Sequence, residues 1–139
     1  MEAICARDDP SNDASEAGMP YQAYLDVILP TLRHDGYFLA KDINHGDRFV
    51  GVSNLFKNPS EPDVLKQGLT GVLPEYRRRG IATALKLRTV RYALDNGIRQ
   101  IATRNNTRNL AMLRINEGMG FTKLPAWITL ERPEERSLT

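Results

Sequence analysis

The chain has few of the residues on which several common kinds of site depend. Its single cysteine, Cys5, excludes an internal disulfide framework and any zinc site built from cysteines. Cys5 lies in a polar segment with no obvious partner, so we expect an idle thiol and no metal site. The two histidines, His34 and His45, could reach a substrate, but we interpret both as surface residues.

Long apolar runs and a strong charge of one sign are also missing. No run approaches the ~18 apolar residues of a membrane span, and the N-terminus lacks the basic start and apolar stretch of a signal peptide. With 41% hydrophobic and 26% charged residues, the composition is that of an ordinary globular protein. The net charge of +2 is too small for a general nucleic-acid-binding surface. We therefore expect a cytoplasmic protein that binds neither membranes nor nucleic acid.

The remaining sequence predicts one mixed α/β domain after a polar arm. Residues 7–20 are rich in Asp, Ser, Asn, Gly and Pro and are typical of a loop. We therefore assign residues 1–20 to the arm and residues 21–139 to the domain. The predicted elements are a short helix at 21–29, strands at 37–42, 48–56 and 63–72, a helix at 80–96, a strand at 98–103, a helix at 107–119 and a last strand at 126–132. The turn-like "INHGD" predicts a hairpin, so the sheet should be largely antiparallel at its start. Two glycines in the third strand indicate a bulge or a close backbone approach.

The stretch "VLPEYRRRGIA" is the strongest sign of a ligand. A helix N-terminus has unpaired N–H groups and the positive end of the helix dipole, so it binds phosphate well. Gly80 would let a ligand approach the backbone, and Arg77, Arg78 and Arg79 would add charge-assisted contacts. The spacing fits neither a P-loop nor a dinucleotide-binding fingerprint. On charge alone the three arginines could also be a solvated surface.

Two blocks of sequence resemble the GNAT superfamily of acyl-CoA-dependent N-acetyltransferases. The first is the acyl-CoA loop, [Q/R]-x-x-G-x-[G/A], matched by Arg77, Gly80 and Ala82. The second is "TRNNTRNLAMLRINEGMGF", in which Asn109 is followed by Gly120 and Phe121. The residue pattern of both blocks is similar to that of a subgroup that includes mycothiol synthase-like acetyltransferases. The resemblance implies a central, mostly antiparallel sheet flanked by helices.

The resemblance also implies a binding site for acetyl-CoA as cosubstrate. Backbone groups of the third strand would pair with the pantetheine arm, and the loop would hold the pyrophosphate. The implied cofactor-binding residues are Thr70, Val72, Leu73, Arg77, Arg78, Arg79, Gly80, Ile81, Ala82, Thr83, Asn109 and Asn116. For Asn109 the alternative is a helix N-cap, a role for which Asn105 competes. The acceptor would be a primary amine of a small molecule or peptide.

The residues of catalysis are not assigned by the sequence. Asn116 stands where relatives often have a tyrosine general acid, and a neutral amide can hydrogen-bond a thiolate but cannot protonate it usefully. Water or another residue would then have to supply the proton. Lys66 stands where some relatives have a strand glutamate, and Glu61, Asp63 and Glu75 are interpreted as exposed loop carboxylates. A non-catalytic acyl-CoA-binding module therefore remains the alternative to an enzyme.

The N-terminal part of the chain departs from the pattern of the family. Relatives usually begin with a strand and a long helix, for which the polar residues 1–20 offer too little material. A sheet without its first strand would have an exposed edge, and such edges are usually paired or covered. We therefore expect either a homodimer that covers this edge or a longer natural chain.

Overall fold

A computed structural model of the chain describes residues 20–105 and 108–123. The described part begins with a helical segment made of a short α-helix (α1, Tyr21–Ala23), a π-helical turn (Tyr24–Ile28) and a 3-10 turn (Leu29–Thr31). Pro30, the residue after the helix predicted at 21–29, falls inside this last turn. Residues 1–19 of the predicted arm, which include Cys5, and the predicted strand at 126–132 lie outside the described residues.

Four strands form one sheet in the order β1-β2-β3-β4. Their bounds are Leu32–Asp42, Arg48–Lys57, Val64–Val72 and Gln100–Ala102. The β1–β2 and β2–β3 pairs are antiparallel and the β3–β4 pair is parallel, as in the predicted mixed sheet. Strand β1 begins five residues before its predicted start at Tyr37, and its register is irregular between Leu32 and Tyr37.

The predicted hairpin turn joins β1 to β2. Gly46 and Asp47 both have positive φ angles, 72° and 58°, the left-handed conformation that tight hairpin turns require. The core lies between the sheet and a long helix, α2 (Ile81–Asp95), whose buried residues are Leu85, Lys86, Thr89 and Ala93. Helix α2 ends as predicted, at Asn96 and at Gly97 with φ 66°.

Helix α3 (Leu110–Gly118) is shorter at its start than predicted. The side chain of Asn109 caps it by accepting a hydrogen bond from the Met112 N–H at 3.3 Å. The side chain of Asn116 is the buried one of this helix and contacts Lys86 of α2, which places α3 beside α2. The fold is therefore the mixed, helix-flanked sheet predicted from the sequence.

Candidate acyl-CoA site

Strands β3 and β4 pair over a short stretch and then separate. The parallel register joins Val64 to Gln100, Leu65 to Ile101 and Lys66 to Ala102. Among the described residues, no strand pairs with β3 beyond Lys66 on that side. The second half of β3 therefore has an open edge, which could accept an extended ligand in place of a strand.

A bulge lies where the two strands separate. Ser53 pairs with Thr70 but Leu55 pairs with Gln67, so β3 has one more residue than β2 over this interval. A Cβ placed on Gly68 would lie 2.2 Å from Asn54 Oδ1 and from Phe56 Cε2, so only glycine fits. The bulge and close approach predicted from the glycines of this strand are both present.

The backbone groups at the end of β3 alternate between the two edges. The Leu73 N–H donates to the Val50 carbonyl at 2.8 Å, and the Leu73 carbonyl accepts from the Tyr76 N–H at 2.9 Å. Both groups of Leu73 are thus used inside the chain. Because antiparallel pairing alternates, Thr70 and Val72 direct their backbone groups toward the open edge. The Val72 carbonyl already accepts a hydrogen bond from Arg77 Nε–H at 2.9 Å, so the backbone N–H of Val72 is the group left for a ligand.

The loop between β3 and α2 has the backbone shape of an anion-binding nest. A 3-10 turn at Pro74–Tyr76 leads into it, and Arg78 and Gly80 then take left-handed φ angles of 61° and 78°. When left-handed residues alternate with ordinary ones along a loop, successive backbone N–H groups turn toward one point. Gly80 is the N-cap of α2 and no side chain caps this start, so the amides of Ile81, Ala82 and Thr83 precede the first intrahelical bond, Ala84 N–H to Gly80 carbonyl.

The arginines of the loop have different surroundings. Arg77 is held against the end of β3 by its bond to Val72, and the Arg79 guanidinium lies 5.2 Å from the centroid of the Tyr76 ring. All three arginines are exposed. They surround the start of α2 with positive charge without being buried, as a phosphate site at the surface needs.

The β1–β2 hairpin holds the lead-in to this loop. The Tyr76 hydroxyl donates to Asp42 Oδ2 at 2.7 Å, and Arg48 pairs with Glu75 at 2.9 Å. The hydrogen bond from Tyr76 lowers the pKa of Asp42, and the same bond raises the pKa of Tyr76. His45 also contacts Asp42, at 2.8 Å. These contacts fix the 3-10 turn from which the three arginines project.

A polar cleft lies between the open edge of β3 and the segment that follows β4. It is lined by Gln67, Gly68, Thr70, Lys86, Thr103, Arg104, Asn105, Asn109 and Met112. Asn109, which caps α3, thus also faces this cleft, so its two predicted roles are compatible. Asn105 lines the cleft and does not cap the helix.

Lys86 is the unexpected member of the cleft. Its side chain is 1% exposed, and burial lowers its pKa to about 8. The ammonium donates to Asn116 Oδ1, lies 3.9 Å from Met112 Sδ, and lies 5.1 Å from the centroid of the Phe121 ring. Within the described part of the chain, it has no carboxylate partner.

A hydrogen-bonded network continues from Lys86 to the strands. Gln67 Nε2 donates to Ser53 Oγ at 3.0 Å and to the Asn54 carbonyl at 2.8 Å. The Thr89 hydroxyl donates to the Lys86 carbonyl at 2.8 Å, and Ser53 and Thr70 share a hydroxyl contact at 2.9 Å. Such a network keeps the bulged part of β3 in one position relative to α2.

The other charged candidates lie outside this cleft. Glu61 and Asp63 pair with Arg99 at the surface, and Glu75 pairs with Arg48. Lys66 and His34 are exposed, as is His45. The described residues contain no group of three His, Cys, Asp or Glu that could hold a metal ion. None of these side chains is brought to the site.

The sequence contained a signal for Lys86 that we did not interpret. Leu85, Thr89 and Ala93 repeat at the spacing of a buried helix face, and Lys86 stands on that face next to Leu85. Lysine is almost never fully buried unless it is paired, so residue type alone would place this side chain in solvent. A charged residue at a core position of a helix beside a binding loop indicates a site.

A family model for the acetyltransferase (GNAT) family matches residues 5–121 of the chain. The match covers most of the sequence, including both blocks that carried the resemblance, so the chain belongs to this family. Among curated proteins, none matches the sequence closely enough to count as a relative.

Solved structures of acetyltransferases share the fold. The NatC complex bound to Gag peptide and CoA is 21% identical, with a TM-score of 0.69 over 88% of this chain and 74% of that one. Diaminobutyrate acetyltransferase EctA from Paenibacillus lautus, in complex with L-2,4-diaminobutyric acid and CoA, is 27% identical, with a TM-score of 0.62 over 85% and 66%. Aminoglycoside N-acetyltransferase AAC(6')-Iy with a CoA bisubstrate analogue is 22% identical, with a TM-score of 0.60 over 83% and 82%.

None of the helices in the described residues is both long enough and apolar enough to cross a membrane.

Proposed function

We propose that the protein transfers an acetyl group from acetyl-CoA to a primary amine of a small molecule or peptide. The observation that carries this is the placement of the bare start of α2 directly after the open edge of β3. A cosubstrate with a pyrophosphate at one end and an amide-containing arm at the other matches these two features in order.

The pyrophosphate would lie at the N–H groups of residues 78–83, because the left-handed Arg78 and Gly80 turn them outward. The arginine side chains would neutralise its charge. The pantetheine arm would run along β3 and hydrogen-bond the free backbone groups of Thr70 and Val72. Leu73 contributes neither of its backbone groups, because both already have partners.

The thioester would then reach the cleft beside Gly68, Thr70 and Lys86. There the amine attacks the carbonyl carbon, and the C–S bond breaks as the amide forms. The proposed acceptor class is supported by the similar structures, whose ligands are a diamino acid, a peptide or an acetylneamine analogue. None of the described residues that line the cleft is a carboxylate, so we expect an amine that enters already neutral or loses its proton to water.

Two measurements in sequence test this function. Calorimetry with acetyl-CoA should show one site, and release of the CoA thiol should then depend on amine in a panel of diamino acids, aminoglycosides and peptides. Binding without amine-dependent thiol release across the panel would instead favour the acyl-CoA-binding module. Absence of binding would refute both functions.

A further inference from the structure

We propose that Lys86 is a catalytic residue whose ammonium donates a proton to the sulfur that leaves when the thioester is cleaved. The inference rests on the acetyl transfer proposed above. It gives a role to Lys86, the one charged side chain that is buried among the described residues of the cleft. It also supplies a general acid for a site in which Asn116 occupies the usual position of the tyrosine acid.

The position of Lys86 is the first support. It lines the cleft together with Gly68 and Thr70 of the bulged, open-edged part of β3. The cleft opens where β3 and β4 stop pairing after Lys66, and a thioester that follows the edge of β3 would arrive there. Its ammonium bonds Asn116, the residue at the usual position of the acid.

The contacts of the ammonium are the second support. A lysine ammonium has three N–H donors. Asn116 Oδ1 accepts one, Met112 Sδ at 3.9 Å is a weak acceptor for a second, and the Phe121 ring covers a further side at 5.1 Å. These contacts fix the ammonium without neutralising it, and they leave a proton available for an acceptor in the cleft.

The acidity of the group suits this task. Burial lowers the pKa of Lys86 to about 8, close to the ~8.5 of a free thiol. Proton transfer between groups of matched pKa is nearly balanced in free energy, which is the condition for an efficient general acid. The lysine is still mostly charged at neutral pH, and the leaving thiolate would stabilise that charge.

The proposed step moves one acetyl group to the amine and one proton to the sulfur. The amine nitrogen forms a bond to the carbonyl carbon, the C–S bond breaks, and its electron pair stays on sulfur. A proton moves from Lys86 Nζ to that sulfur, giving the CoA thiol and a neutral lysine. The amine nitrogen releases one proton to water, and Lys86 regains one from water before the next turnover.

The charged surroundings of Lys86 define the expected pH dependence. The cleft presents the neutral Gln67 and Thr70 from β3, the neutral Met112 from α3 and the guanidinium of Arg104 from the segment after β4. The ammonium also contacts the neutral Asn116 of α3. No titratable group other than Lys86 therefore changes its charge near pH 8 in the described part of the cleft. The rate at saturating amine should fall as pH rises through about 8, since only the protonated lysine is an acid.

The kinetic test compares Lys86→Met and Lys86→Gln with wild type. Both side chains are only one atom shorter than lysine, and glutamine can still hydrogen-bond Asn116, but neither can act as an acid. We expect kcat to fall about 100-fold in both variants, the loss typical of a missing general acid. The fall in rate above pH 8 should disappear, and calorimetric affinity for acetyl-CoA should stay close to that of wild type. Lys57→Met, at an exposed lysine of β2, is the control and should keep wild-type kinetics.

A binding experiment tests the contact between the Lys86 ammonium and the CoA sulfur without turnover. An ammonium beside the sulfur should lower the pKa of the thiol of bound CoA. Ultraviolet absorbance of the thiolate, titrated in the complex, should therefore show a lower thiol pKa with wild type than with Lys86→Met.

The outcomes separate the inference from the function on which it rests. If wild type neither binds acetyl-CoA nor transfers its acetyl group, the proposed function itself fails. If wild type is active, a kcat within a few-fold of wild type in either folded variant overturns the role of Lys86 alone. An unchanged thiol pKa in the Lys86→Met complex overturns it as well, and rescue by Lys86→Gln would reduce Lys86 to a positioning residue.

Discussion

At the scale of single residues, two glycines at opposite ends of α2 share a backbone conformation but differ in position. Gly80 has φ 78° and Gly97 has φ 66°, and a Cβ on either would meet no heavy atom within 4 Å. The sequence predicted Gly80 from the need for a ligand to approach. The structure adds that its conformation alone favours glycine.

We predict that Gly80→Leu removes acetyl-CoA binding while the domain stays folded. The side chain would fill the space in which the pyrophosphate is expected, and the left-handed φ would add about 1 kcal/mol of strain. Gly97→Leu is the matched control, because it introduces the same kind of strain at the far end of the helix. Calorimetry should show binding lost in the first variant and kept in the second. Equal affinities in the two would contradict the placement of the pyrophosphate.

Asn116 is the residue through which the acidity of Lys86 can be adjusted. We predict that Asn116→Asp raises the pKa of Lys86, since a carboxylate beside an ammonium favours the charged form by about one pKa unit or more. The alkaline fall in rate should then move to higher pH than in wild type. The measurement is kcat against pH, with Asn116→Ala as the control that removes the hydrogen bond without adding charge. A shift to lower pH, or none, would speak against Lys86 as the group that titrates.

At the scale of elements, the separation of β3 from β4 creates the cleft, and the bulge at Gly68 lies beside it. The extra residue of β3 lies between its pairings with Ser53 and Leu55. Asn54 Oδ1, which faces this point, is buried without a hydrogen-bond partner among the described residues. Backbone, side-chain amide and aromatic ring are therefore packed against each other with no room for a Cβ.

We predict that Gly68→Ala destabilises the domain by about 1–3 kcal/mol, because the new methyl group would overlap Asn54 and Phe56. Gly118→Ala is the control: its Cβ would meet nothing within 4 Å, and it ends α3. Alanine in place of glycine in a helix should stabilise by up to about 1 kcal/mol. Urea unfolding of the two variants should therefore give free-energy changes of opposite sign. A neutral Gly68→Ala would mean that the bulge can relax.

At the scale of the whole molecule, the element order was predictable because each element has its own periodicity and turn residues. The hairpin followed from Gly46 and the end of α2 from Gly97, both of which have positive φ. The start of β1 was missed because His34 and Asp35 are polar and exposed, and they gave no strand pattern. The start of β1 pairs with the far end of β2, Leu32 with Phe56, and the register between Leu32 and Tyr37 is irregular.

The sequence was sufficient to predict the loop of the candidate site, but it was not sufficient to predict the cleft. The loop is local in sequence, so Arg78, Gly80 and the helix start could be placed by motif and by helix geometry. The cleft is assembled from β3, α2, the segment after β4 and α3, and its burial exists only in three dimensions. Lys86 and Asn116 are 30 residues apart, and their contact could not be read from either block alone.

A buried lysine without a carboxylate also affects the stability of the entire domain. The pKa of Lys86 falls from 10.5 to about 8 on folding, so between these values the unfolded chain binds more protons than the native one. Stability from this group therefore rises with pH across that window. At 1.36 kcal/mol per pKa unit, the native state is destabilised by about 3 kcal/mol while the lysine is charged.

We therefore predict that Lys86→Met is more stable than wild type at pH 7, because methionine has no charge to desolvate and nearly the same length. The advantage, up to about 3 kcal/mol, should shrink as pH rises from 8 to 10.5, where the native lysine has lost its proton and the unfolded one has not. Urea unfolding of both proteins over this pH range measures it, and other titrating groups cancel because the two chains share them. Lys57→Met should show no such pH-dependent difference. A Lys86→Met variant that is less stable than wild type at pH 7 would mean that the ammonium holds the fold together, and a purely structural reason for the lysine would then suffice.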